Sequence, residues 1–473
     1  MTTTNVIPLQ HKAGVKAPVA KAGHLAGVPR QLWVRQAIIV SIALLVAFVG
    51  LKTYWAYANV VQTIGKDSVP SIVAAEKIRT QLADAHTNIV NAFLTKEQDD
   101  SGPSRQAYNK SIASAYDSLV EAAQNITYGD DERRPILAVL TQLSDYERMI
   151  GKAEEARAHE SNRVDATDAG DAQLIGRADS LMREHILPSV VALDQANFKH
   201  LDAAFTEGRK TARQWLVGFI ALALVLGAVM LETQLKLYAS FRRIVNPPMA
   251  IGLTVFAVSL LMFCVYAANT LSEIRLAKED AFDSVHALSK TKAIAYTANA
   301  QESVYLLQRD KSAKALQTIG FNDAAAQIYS GGIQDIAQLP TDLKSMKNQG
   351  LLGDELANIT FPGEEVAAKK TLQGWLEYVH IDSQIRSLEE SGKHDAAVAL
   401  CIGTQAMQSD WAFENFMQGL DETLNINQVQ FDSAIARAFK YAALLWMLLI
   451  PILLGPVIGT VVGLQLRLAE FRD

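Results

Sequence analysis

The stretch MAIGLTVFAVSLLMFCVYAA, residues 249–268, runs for 20 residues without a charged side chain, and its length decides the fold. A helix crossing about 30 Å of hydrocarbon needs roughly 20 mostly apolar residues. Only a helix or a closed barrel can satisfy its own backbone there. Residues 441–464 repeat the composition, and residues 215–231 also lack charge. Residues 37–51 are uncharged as far as Lys52 and then meet an aromatic edge at Tyr54, Trp55 and Tyr57. With their flanks these two stretches also reach spanning length. Four spans in two pairs therefore surround two long polar segments.

The expected architecture is all-α: four transmembrane helices carrying two extracytoplasmic up-down four-helix bundles in tandem. A basic tail (1–35) leads into span one (36–58), the first bundle (59–213) and span two (214–232). A short connection (233–247) joins span three (248–268) to the second bundle (269–440), span four (441–464) and a short C-terminal stretch (465–473). Ala56-Tyr57-Ala58 resembles a signal-peptidase site. Tyr266-Ala267-Ala268 repeats that pattern at the end of span three, so it reads as a span edge and span one is expected to be retained.

Basic residues set the orientation. Lys12, Lys16, Lys21, Arg30 and Arg35 face no acid in the tail, and Lys236, Arg242 and Arg243 face only Glu232 in the connection. The positive-inside rule makes both cytoplasmic, together with both termini, in a bacterial inner membrane. The net charge is −6 and the tail contributes +5, so the remainder carries −11. Such a surface disfavours nucleic acid as a partner. The two cysteines, Cys264 in a span and Cys401 in the second outer segment, are separated by the topology and leave the outer segments without an internal disulfide.

Helical periodicity fills the first outer segment. Ile78, Leu82, Ala85, Ile89 and Ala92 recur at steps of four and three, as do Tyr108, Ile112, Ala115, Leu119, Ala122 and Ile126. Breakers stand at Ser101-Gly102-Pro103, from Gly129 to Pro135 and from Asp165 to Gly170. Pro70 and Pro188 mark kinks or helix starts. In the second outer segment, glycines and prolines between Ile319 and Gly363 predict loops that distort the bundle and offer the best place for binding. Residues 375–390 and 396–439 read as regular helix. Asn59 and Asn269 follow spans one and three, and Leu193-Asp194 and Leu420-Asp421 precede spans two and four at similar distances, which suggests duplication.

The chain carries no Walker loop, HExxH, GxSxG, dinucleotide fingerprint or CxxC, so no catalytic residue, cofactor or metal is expected. His380, Asp382, His394 and Asp395 lack a third ligand at fixed spacing and read as surface polar residues. Trp375, Tyr378, Trp411, Phe413 and Phe416 most simply fill a bundle core. As a pocket, the aromatics would be lined in addition by Glu302, Tyr305 and Arg309. The ligand-binding candidates are therefore Glu302, Tyr305, Trp375, Tyr378 and Trp411. Gly455, Gly459 and Gly463, four apart, form a groove for helix packing, with Pro451 and Pro456 bending the same span. The segments assigned to the cytoplasm are too small for a folded catalytic domain.

The outer segments resemble the four-helix-bundle ligand-binding domain of bacterial chemoreceptors and sensor kinases, best over residues 54–94 and 187–231, including Val69-Pro70-Ser71-Ile72. The whole plan is similar to the actinobacterial four-span protein that links a periplasmic amino-acid-binding lipoprotein to a cytosolic Ser/Thr kinase. The residues that carry this likeness are Ala300-Gln301-Glu302-Ser303-Val304-Tyr305-Leu306-Leu307, Glu390-Ser391-Gly392 and Ala396-Ala397-Val398-Ala399-Leu400. It implies a non-enzymatic sensor whose bundles bind a small molecule or a solute-binding protein and relay to a cytoplasmic kinase. A homodimer in the lipid bilayer is expected. The alternative is a membrane scaffold or an accessory subunit of an envelope or transport complex.

Overall fold

Apolar residues at steps of three and four leave little choice but helix, and the computed structural model, which describes residues 28–95, 102–160, 169–241 and 245–469, forms it throughout. Lys12, Lys16, Lys21, Arg242, Arg243, Ser101 and Asp165 lie outside the described residues. Among the described residues every regular element is helical. The first half comprises α1 (Val28–Gln62), α2 (Val69–Leu94), α3 (Pro103–Gln124), α4 (Asp130–Glu160), α5 (Ala169–Leu181) and α6 (Leu187–Phe241). The second comprises α7 (Pro247–Arg275), α8 (Asp283–Leu307), α9 (Lys311–Ile328), α10 (Leu351–Ala357), α11 (Glu364–Glu390), α12 (His394–Cys401) and α13 (Ser409–Ala469).

Three π-helical segments interrupt the long helices, at Thr63–Ser68, Met182–Ile186 and Leu276–Phe282. The first two run straight into Pro70 and Pro188. Proline lacks the N–H that an α-helix needs and its ring crowds the carbonyl four residues back, so widening the preceding turn relieves both. The third has no proline beside it.

Among the described residues, four helices are long and apolar enough to cross a membrane. Their apolar parts form one compact unit, made of the described residues up to 53, residues 214–264 and residues from 445. Within it, a Cβ on Gly50 would meet Leu449 and Phe219, and Phe219 packs on Phe263 at 4.7 Å between ring centres. The tightest seam joins α7 to α13. A Cβ on Gly252 would come within 2.5 Å of the Gly455 carbonyl, and one on Gly459 within 2.7 Å of the Pro248 carbonyl. Gly463 meets Asn246, whose Nδ2 donates to the Gly463 carbonyl at 2.8 Å. At Gly252 and Gly459 backbone faces backbone, with no side chain to give way. Gly459→Leu is therefore expected to destabilise the detergent-solubilised protein by about 1–3 kcal/mol, read as a lower thermal midpoint. Gly218→Leu, where a Cβ meets nothing within 4 Å, should leave the midpoint unchanged.

The second compact unit, residues 54–213 with 265–444, joins both outer segments. α2 packs on α3 within its own half and on α8 from the other half. The first-half core runs from Ala75, Leu82 and Ile89 through Leu119, Leu143 and Ile186, and it includes Val304 from α8. The second-half core centres on Trp375, Tyr378, Phe413 and Phe416 and includes Leu94 from α2. A third cluster, with Ile64, Ile72, Phe205, Phe282, Phe431 and Ile435, draws on both halves. Buried polar bonds also cross between them. Ser303 Oγ donates to Asn91 Oδ1 at 2.6 Å, and Thr87 Oγ1 donates to the Tyr296 carbonyl at 3.1 Å.

Three details differ from the sequence expectation. α9 continues through Gly320, because there the absent side chain makes room for Gln301, whose Nε2 would lie 2.2 Å from a Cβ. The expected helix over 396–439 is instead α12 and the start of α13, broken at residues 402–408, where the Trp411 N–H bonds the Gly403 carbonyl at 3.3 Å. Pro135, expected among the breakers, lies inside α4 near its start, where it forfeits only one backbone bond.

Candidate functional site

Glu302 on α8 is buried, 1% exposed. Its Oε1 accepts from Ser409 Oγ at 2.7 Å and from Cys401 Sγ at 3.4 Å. Burial, reinforced by the nearby Asp382 carboxylate, pushes its carboxyl well above the ordinary range. Burial also raises the Asp382 carboxyl, against the pull of Arg386. Asp382 in turn receives a two-pronged bond from Arg386, Nε to Oδ2 and Nη2 to Oδ1, both at 2.8 Å. The third guanidinium nitrogen, Nη1, donates to Thr318 Oγ1 on α9 at 2.9 Å, and the guanidinium lies over the Tyr305 and Phe321 rings at 4.6 and 4.9 Å. The cluster is an acid, a carboxylate and a cation in series, closed off by aromatic faces.

The five ligand candidates fall on one contiguous core. Trp375 and Tyr378 are 1% and 0% exposed, Tyr305 is buried, and Trp411 packs half-buried at the margin. Trp375 touches Tyr378 and Phe416, and Phe413 meets Tyr378 edge-on at 5.3 Å. A ligand would reach Glu302, Trp375 or Tyr378 only by displacing packed side chains. Asp382, expected at the surface, is buried, because its side chain points inward to the Glu302 acid while its own helix supplies Arg386 four residues on. His380 and His394 are exposed.

An accessible cleft lies elsewhere in the same half. Glu279, Asp283, Ser284, Lys347, Asn348, Asp354, Glu355 and Asn358 line a polar hollow of about 380 Å³. Gly350 shapes its border with φ +85°, where a Cβ would strike the Ile328 carbonyl at 2.7 Å. Part of its wall, Lys347, Asn348 and Asn358, comes from the glycine-rich stretch in which the sequence predicts loops, and Glu279, Asp283 and Ser284 come from the π-segment and α8 opposite. In the wall of the cleft Glu355 is buried beside Glu364, whose Oε1 accepts from Asn427 Nδ2 at 2.7 Å and whose Oε2 accepts the Thr360 and Phe361 N–H groups. Burial, then Glu364, push Glu355 up from 4.5 to about 8.

That shift fixes a pH dependence. Above about pH 4.5 the unfolded chain releases the Glu355 proton, whereas the folded one keeps it until about 8. Its contribution to stability is therefore full below 4.5 and is lost as the pH rises towards 8. Glu355→Gln is expected to flatten the fall in thermal midpoint between pH 5 and 8, an effect on the order of a few kcal/mol. An unchanged slope would contradict a neutral Glu355.

A third polar group joins the halves. Glu76 on α2, Asp194 on α6 and His286 on α8 bring one ligand-type atom each within 4.8 Å of the others. His286 Nε2 lies 3.0 Å from both Asp194 oxygens and 3.9 Å from Glu76 Oε1. Burial lifts the Glu76 carboxyl from 4.5 to about 7. Sequence spacing offers no signal for this trio, since its members stand more than 90 residues apart.

Comparison with known proteins bears on the first half of the chain. Residues 60–206 match the family model of the actinobacterial sensor domain. No curated protein and no solved structure matches significantly. The match supports a bacterial sensory domain over α2 to the outer part of α6, and with the four membrane-length helices it supports a multi-pass membrane sensor. A sensory domain of this kind suggests a non-catalytic role.

Proposed function

We propose that the chain is a non-enzymatic sensor of the bacterial inner membrane, with both termini in the cytoplasm. Its outer unit would bind a small molecule or a solute-binding protein and relay the state to a separate cytoplasmic partner such as a kinase. The observation that carries this reading is the sensor-domain match over residues 60–206, which falls on a unit reached through helices that also supply the membrane unit, α1 and α6. An unbroken α-helix transmits a shift or rotation along its axis without loss at a hinge.

A loop device that recurs in the two halves is in keeping with a repeated span–bundle–span plan. Asn125-Ile126-Thr127-Tyr128 precedes α4, and Asn358-Ile359-Thr360-Phe361 precedes α11. In the first loop Glu132 Oε2 accepts the Thr127 and Tyr128 N–H groups, both at 2.6 Å. In the second Glu364 Oε2 does the same for Thr360 and Phe361. The same device in both halves is what a repeated unit would leave.

The test is thermal melting of the detergent-solubilised chain against single amino acids and candidate solute-binding proteins. A ligand at one hundred times its Kd should stabilise a sensor by about 2.7 kcal/mol. A scaffold or accessory subunit would melt at the same temperature throughout.

A further inference from the structure

We infer that Glu76, Asp194 and His286 form a binding site for a divalent first-row transition cation, Zn²⁺ or Mn²⁺, that ties the two halves of the outer unit together. The inference rests first on Glu76. Its side chain is 3% exposed, yet neither carboxylate oxygen receives a hydrogen bond. The nearest cationic nitrogens, Arg79 Nη1 at 3.8 Å and His286 Nε2 at 3.9 Å, both lie beyond hydrogen-bond reach. An anion buried without a donor is costly unless a positive charge meets it. The other two members supply what a cation needs beside it. Asp194 adds a second carboxylate, and His286 a nitrogen held in place by the parallel Phe198 ring at 4.7 Å. One turn beyond Asp194, Asn197 is buried with its Oδ1 also lacking a donor.

The chain geometry points the same way. The ligands come from three helices, and each lies a short way past one of the three π-helical segments, at Thr63–Ser68, Met182–Ile186 and Leu276–Phe282. π-segments inside α-helices recur at functional sites, because they re-aim the side chains that follow. Metal–oxygen and metal–nitrogen bonds of about 2.0–2.2 Å put ligand atoms about 3–4 Å apart, close to the spacing already present. One imidazole with two carboxylates suits Zn²⁺ or Mn²⁺ better than Mg²⁺ or Ca²⁺, which favour an all-oxygen shell. On binding, His286 would offer the Nε2 lone pair and keep its proton on Nδ1, and Asp194 would turn from hydrogen-bond acceptor to ligand.

The experiment uses the full-length chain in detergent, stripped with EDTA and titrated by calorimetry with ZnCl₂, MnCl₂ and MgCl₂. Co²⁺ visible absorption reports the ligand field. One saturable equivalent of Zn²⁺ or Mn²⁺, and a thermal midpoint that rises with the cation and falls again with EDTA, are expected. Glu76→Gln and Asp194→Asn should each weaken binding more than about tenfold and change the Co²⁺ spectrum, with helicity by circular dichroism retained. His286→Gln provides a third arm should either carboxyl variant fold poorly. Binding that persists undiminished in these variants would belong to surface pairs such as His200–Asp131 and His394–Glu389 and would overturn the assignment. So would the absence of a saturable equivalent in the parent chain, or equal binding of Mg²⁺.

Discussion

Asp179→Ala is expected to be among the most damaging single substitutions in the outer unit, costing about 3–5 kcal/mol. The carboxylate is 0% exposed and draws four helices together. His86 Nε2 on α2 lies 3.2 Å from Oδ1, and Arg183 Nε donates to both oxygens at 3.0 and 3.1 Å. Gln317 Nε2 on α9, from the other half, donates to Oδ2 at 2.9 Å. His86 Nδ1 reaches onward to the Tyr146 hydroxyl on α4 at 3.0 Å. Removing the carboxylate strands the buried His86 and Gln317 groups where water cannot replace it, and deprives the half-buried Arg183 of its counter-charge. Burial alone would raise this carboxyl, but the hydrogen bond and charge of His86 and of Arg183 outweigh it and hold the group down at about 2. Its contribution to stability is therefore complete above about pH 3.8 and lost only as the pH falls towards 2. Chemical denaturation at pH 7 should show the full loss in the variant. Asp179→Asn should in addition remove the parent's decline below pH 4.

Arg386→Ala should cost a comparable amount, about 3–5 kcal/mol, for a related reason. It deletes the two-pronged bond to Asp382, the bond to Thr318 and the cover over Tyr305 and Phe321. Asp382 would be left as a buried carboxylate beside the Glu302 acid with no counter-charge. Replacing the pair together, Asp382→Leu with Arg386→Met, should restore most of the loss, since a buried ion pair exchanged for apolar groups of similar volume is often neutral. A double variant as unstable as Arg386→Ala would show instead that the guanidinium matters through its packing on the rings.

These two clusters mark where the sequence stopped being legible. The four spans could be read because an uncharged run of membrane length signals itself without tertiary partners. The α2 and α3 periods could be read because an apolar stripe repeats locally. Asp179, Asp382 and Glu302 offer no such signal. A carboxylate in a helical run looks the same whether solvated or buried, and only the cation four residues on, Arg183 or Arg386, hints at pairing. The break at 402–408 was hidden because Ile402 and Met407 keep the composition apolar on either side of Gly403. α9 was obscured by Gly320, a position where closeness to Gln301, rather than helix breaking, calls for glycine. The joining of the halves was invisible for a further reason. Ser303 with Asn91, and Thr87 with Tyr296, meet across more than 200 residues through small polar groups that carry no period.

On the proposed function, the sensory unit passes its state to a separate protein. Affinity capture of the full-length chain from crosslinked native membranes tests it most directly. Recovery of an extracytoplasmic solute-binding protein together with a cytoplasmic kinase, both dependent on the chain, is expected. Recovery of neither, or of a large polytopic transport complex in their place, would contradict it.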